Sequence, residues 1–99
     1  MLTPVWRLKG FSGSEYGQLE LRSGRLIFRP NESGSPGFDV PVSEITDIRF
    51  PWHYFDGGFK MRIGGEEFRF SFVEPHNEMA DVNGGRDVGK AWKQALLGK

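Results

Sequence analysis

The chain has 99 residues, of which 37% are hydrophobic and 14% aromatic, and its 13 basic and 13 acidic side chains give a formal net charge of zero. That length and apolar load suit one folded domain and exclude global disorder, while the balanced charge argues against a general nucleic-acid binder, which carries a basic footprint. With no cysteine there are no disulfides, cysteine nucleophiles or thiolate metal sites, and a reducing, cytoplasmic setting is expected. Met1 to Arg7 lacks the pattern of a secretory signal, and no apolar run nears the roughly 20 residues that span a bilayer, so no transmembrane segment is expected.

Val5 to Phe11 alternates with a period of two and predicts a first strand, with Trp6 and Leu8 facing the core and Arg7 and Lys9 facing out. Phe11 to Gly17 reads as a loop rich in turn residues. Gln18 to Arg22 and Arg25 to Pro30 then flank Ser23-Gly24, and a two-residue loop fixes the register of a hairpin. Arg22 falls opposite Arg25, Leu21 opposite Leu26 and Leu19 opposite Phe28. The four apolar residues share one face, and Gln18, Glu20, Ile27 and Arg29 share the other.

Asn31 to Gly37 is a polar loop. Phe38, Val40 and Val42 alternate with Asp39 and Pro41, which predicts an edge strand because proline cannot donate to a ladder. After a bend at Ser43-Glu44, Ile45 to Phe50 reads as extended, with Ile48 and Phe50 inward. Phe59, Met61 and Ile63, then Gly64-Gly65, then Phe68, Phe70 and Phe72 spell a second hairpin. Its register sets Phe59 against Phe70 and Met61 against Phe68 on one face. On the outer face Arg62 opposes Glu67 favourably. Lys60 opposes Arg69, a like-charge pair that nearby acids or a bound anion would have to offset.

Glu74 to Gly85 reads as a polar linker. From Arg86 to Leu97 the period becomes helical, and Val88, Ala91, Trp92, Ala95 and Leu96 form one apolar stripe with Trp92 as the plug of the core. Gly98 is a suitable stop.

Several short antiparallel strands followed by one amphipathic helix resemble the PH superfold, and the residues look like a GRAM-type, PH-like domain. The likeness rests on Gly17-Gln18-Leu19-Glu20-Leu21 with Gly24-Arg25-Leu26-Ile27-Phe28, on Glu44-Ile45-Thr46-Asp47-Ile48, and on the Phe59–Ile63 and Phe68–Phe72 hairpin. It implies a mostly β, two-sheet, partly open antiparallel barrel of about seven strands capped by one C-terminal α-helix, as a single domain over 1–99. It also implies binding of lipid headgroups, peptides or partner domains, not catalysis. In lipid-binding members a basic residue late in the first strand works with a basic-x-Arg pair on the second. Lys9 and Arg22 match the ends of that pattern, and Glu20 stands where the middle cation would be.

The chemical motifs are weak. Gly84 to Lys90 fits G-x-x-x-x-G-K, but Ala91 replaces the Ser or Thr that holds magnesium, and no buried parallel strand precedes it. Asp81 to Trp92 loosely follows an EF-hand loop but has Arg86 at the obligatory glycine and Trp92 at the bidentate glutamate. His53 and His76 lie in separate loops without ligand spacing, and no G-x-S-x-G elbow is present. The expectation is a non-enzyme with no cofactor, metal or catalytic residue.

Two surfaces remain as candidates. One is a basic strand face of Arg7, Lys9, Arg22, Arg25, Lys60 and Arg62, joined by Arg29 and Arg69, suited to an anionic membrane surface or headgroup. The other is the loop of Trp52, His53, Tyr54 and Phe55, whose consecutive aromatics cannot all point inward, so that at least one is left exposed for a protein partner. The leading expectation is a binding module that recruits a protein partner or an anionic surface. Alternatives are a membrane-lipid headgroup reader using the strand cations and a self-associating structural domain.

Overall fold

The computed structural model describes residues 1–98. Seven antiparallel strands, β1 (Leu2–Lys9), β2 (Gly13–Arg22), β3 (Arg25–Pro30), β4 (Phe38–Pro41), β5 (Ile45–Arg49), β6 (Gly58–Ile63) and β7 (Glu66–Ser71), precede one helix, α1 (Val82–Leu97). The strands form a single sheet in the order β4-β3-β2-β1-β7-β6-β5, whose ends do not meet. Its two halves join where Trp6 pairs with Ser71 and Arg7 with Phe70. The result is a mostly β, partly open antiparallel barrel with one C-terminal helix across it.

Both hairpin registers follow from their two-residue turns. Leu19 pairs with Phe28 and Leu21 with Leu26, and Phe59 pairs with Phe70 and Met61 with Phe68. Glycine or serine at positive φ makes each turn, at Ser23-Gly24 and Gly64-Gly65. The inward residues of both halves build one core that includes Val5, Leu26, Phe28, Ile45, Phe68 and Trp92. Through it runs a near-parallel series of rings: Phe50 on Phe59 at 5.1 Å, Phe59 on Phe72 at 5.9 Å and Phe72 on Trp92 at 6.3 Å. Trp92 is fully buried, as the helical stripe predicts.

A bulge in β5 shapes the outer surface. Ile45 pairs with Ile63 and Thr46 with Arg62, but Arg49 pairs with Lys60, one residue out of step. Asp47 takes up the extra residue at φ 51°. In this way Ile45, Ile48 and Phe50 all reach the core, and Arg49 is turned outward.

Three expectations change. In β1 it is Val5 that is buried, so its face, with Thr3, Arg7 and Lys9, is the inner one. Trp6 and Leu8 lie on the outer face, where Trp6 packs on Tyr16 at 5.0 Å between ring centroids. The first loop is also shorter than its turn-rich composition implies, because Lys9 already pairs with Gly13. Finally, α1 begins at Val82, not near Arg86, because Asp81 caps it by accepting a hydrogen bond from the Gly84 amide at 2.9 Å.

Those glycines serve contact rather than flexibility. A Cβ on Gly85 would run into Val73, and one on Gly89 into the Asp56 carbonyl. The segment that fits G-x-x-x-x-G-K is therefore part of a helix that two chain segments approach closely.

Candidate functional site

The strand cations do not form one strip. Arg7 and Lys9 lie on the inner parity of β1 with Val5. Arg7 is mostly buried: its guanidinium lies 4.4 Å from the Phe68 ring centroid and it bonds Glu66 at 3.1 Å. Lys9 Nζ lies 3.3 Å from the buried Glu15 carboxylate, an ion-pair distance without hydrogen-bond alignment. On the outer face of β2, β3 and β4, Arg25 bonds Asp39 at 2.7 Å, while Arg29 at 2.8 Å and Arg22 at 3.9 Å share Glu20. These contacts, the Arg29 hydrogen bond foremost, hold the Glu20 carboxyl below its usual value. Arg62 sits between Asp47 at 3.6 Å and Glu67 at 3.7 Å.

Of the six cations expected to bind an anion, only Lys60 has no carboxylate within 4 Å among the described residues. The bulge gives it new company. Arg49 pairs with Lys60 across one ladder and Lys60 with Arg69 across the next. Neither arginine has a carboxylate partner among the described residues, and Arg69 donates instead to the Gly10 carbonyl at 2.9 Å. A row of three like charges thus crosses β5, β6 and β7 beside a polar recess of about 220 Å³ lined by Asp47, Arg49, Lys60, Met61, Arg62 and Glu67. Arg49 was missed in the sequence because the strand alternation gives no sign of the bulge.

The aromatic loop is exposed, as its crowding predicts, and is also anchored on the helix. Trp52, His53 and Tyr54 form a single 3-10 turn, closed by Phe55 in the left-handed region at φ 51° and followed by Asp56 at φ 61°. This winding brings the Asp56 backbone against Gly89, and the Asp56 carboxylate lies 3.8 Å from Lys93. The loop is thereby held on the helix, yet Trp52 remains 82% exposed and Phe55 59% exposed. His53 is also exposed and packs edge-on between Trp52 and Tyr54.

Beside the loop opens a mainly apolar recess of about 290 Å³. Its walls come from the outer face of the sheet (Leu8, Ser71), the loop (Tyr54, Phe55), the segment after β7 (Val73) and the first turns of α1 (Val82, Arg86). Because Trp6 pairs with Ser71, the Trp6–Tyr16 ring pair continues the same face. The sequence signal for this site was the outward parity of Trp6 and Leu8, which is hidden by the apolar residues on both faces of β1. Phe11, fully exposed at the tip of the β1–β2 turn, was likewise not singled out.

The geometry defines a class: a helix-capped, partly open β-barrel bearing an exposed aromatic loop and a row of three cations with no carboxylate within 4 Å among the described residues. No family model, curated protein or solved structure matches the chain. Among the described residues no helix is long and apolar enough to cross a membrane.

Proposed function

We propose that this chain is a non-catalytic binding module of the PH/GRAM-like kind that recruits a protein partner through the Trp52–Phe55 loop. The observation that carries this reading is the pairing of an exposed Trp52 and Phe55 with a preformed apolar recess against the same loop. Large apolar side chains presented on an anchored segment beside a pocket are the usual composition of interface centres. A photo-cross-linking side chain placed at position 52 tests it in a lysate of the source cells. One discrete adduct, lost on Phe55→Ala and absent when the cross-linker sits at Glu44, is the expected result. Equal labelling from both positions refutes it.

The row of Arg49, Lys60 and Arg69 supports a second reading, attachment to an anionic surface. Co-sedimentation with anionic but not neutral vesicles, weakened by salt and by a Lys60→Glu and Arg69→Glu double variant, is its expected signature. The Lys9 and Arg22 positions serve as controls, since each already holds a carboxylate.

A further inference from the structure

The recess beside the loop has a chemistry that narrows the kind of partner, an inference that rests on the recruitment reading above. Among its lining residues Arg86 is the one that carries charge. Its Nε is buried with no hydrogen-bond partner, and no carboxylate lies within 4 Å of its guanidinium among the described residues. The guanidinium instead lies 5.3 Å from the centroid of the Phe55 ring. A cation–π contact compensates only part of what a buried cationic donor loses on leaving water. Buried polar groups are ordinarily paired, so a guanidinium with a covered, unpaired Nε and no carboxylate beside it gains from an acceptor brought to its terminal nitrogens.

The remaining walls restrict what can bring that acceptor. Leu8, Phe55, Val73 and Val82 offer apolar surface, and about 290 Å³ accommodates one large side chain with a carboxylate beside it. The recess is open, and its rim carries the exposed Val82 and Phe55. Such a rim suits the flanking backbone of a peptide more than an acyl chain, which needs an enclosed channel. From this we infer that the recess receives a short segment of a partner protein in which a leucine- or phenylalanine-sized side chain packs on Leu8, Val73 and Val82 and an adjacent Asp or Glu carboxylate pairs with Arg86. Because Nε itself is covered, the carboxylate meets the terminal nitrogens of the guanidinium, a planar fork of donors matched to a carboxylate.

The test uses the whole chain, isotope-labelled, with amide NMR shifts as the readout. Three blocked pentapeptides, acetyl-Gly-Leu-Phe-Asp-Gly-amide and its analogues with Asn or Lys in place of Asp, are titrated separately. The Asp peptide is expected to shift the amides of Leu8, Val73, Val82 and Arg86 and to bind at least about tenfold more tightly than the Asn peptide, about 1.4 kcal/mol. Arg86→Gln should remove that preference. Val82→Glu is a second variant that keeps the arginine: position 82 opens the helix, where an acid is favoured, and it stands four residues before Arg86. It should occupy Arg86 from within the chain and weaken the Asp peptide about tenfold.

Equal binding of the three peptides, or a preference that survives Arg86→Gln, overturns the carboxylate inference and leaves recruitment through the loop standing. Recess shifts with decanoate but with none of the peptides assign the site to an amphiphile and also overturn it. If no peptide binds and the cross-linker at position 52 captures nothing, recruitment itself fails.

Discussion

The indole N–H of Trp92 donates to the Thr3 hydroxyl at 3.1 Å, bonding α1 to β1 across 89 positions of sequence. A buried indole needs such an acceptor, and Thr3 supplies it from the inner face of the central strand. Thr3→Val should keep the shape, strand the donor and cost about 1 kcal/mol. Trp92→Ala removes the ring that closes the aromatic stack and should cost about 3–5 kcal/mol. Urea unfolding of both variants checks the order; equal losses would show that the bond, not the packing, dominates.

Gly89→Ala separates helix propensity from contact. In an open helix the change gains about 1 kcal/mol. Here the new methyl group meets the Asp56 carbonyl, so the helix must lift from the aromatic loop. A net loss of about 1–3 kcal/mol is expected, together with faster hydrogen exchange at the Tyr54 and Phe55 amides, which bond the Pro51 and Trp52 carbonyls, as the loop loosens. Unchanged stability would mean the loop is not held there.

The cation row should cost the free protein stability. Lys60→Glu places an acid between Arg49 and Arg69, changing two repulsive cross-strand pairs into attractive ones. A gain of about 0.5–1 kcal/mol at low ionic strength is expected, shrinking as salt screens the pairs. Thermal unfolding at two salt concentrations measures it, and destabilisation at low salt counts against the arrangement.

Glu20 gives a pH dependence of definite sign. Its folded value is depressed, with the Arg29 hydrogen bond the leading cause. The stabilisation is therefore complete above the ordinary glutamate range and is lost as pH falls through the lowered folded value. Glu20→Gln should be less stable than the parent at neutral pH, and the gap should narrow on acidification through that window. A gap that stays constant with pH refutes the linkage.

The parts of this fold legible in the sequence were those set by local rules. Ser23-Gly24 and Gly64-Gly65 dictate two registers, and the Phe-rich alternation dictates their inner faces. Trp92 stands out because its helical stripe has no competing arrangement. Strand β1 misled because Val5, Trp6 and Leu8 offer apolar residues to both faces, and only its pairing with β7 decides between them. The helix start was obscured by Gly84 and Gly85, which are placed for close approach and so read locally as linker. The Trp52–Phe55 loop was legible from crowding alone. The cation row was not, because Arg49 reaches it through a bulge at Asp47, and which charges meet across a sheet is fixed only by long-range pairing.

The position of Trp92 also bears on how the chain is made. Every strand leaves the ribosome before the helix that seals them, so the nascent sheet holds Phe28, Phe59 and Phe70 uncovered until α1 follows. Synthesis proceeds one residue at a time and domains settle as units. The barrel therefore cannot mature from its leading end, and the interval before α1 emerges is when this chain most needs a chaperone or rapid elongation.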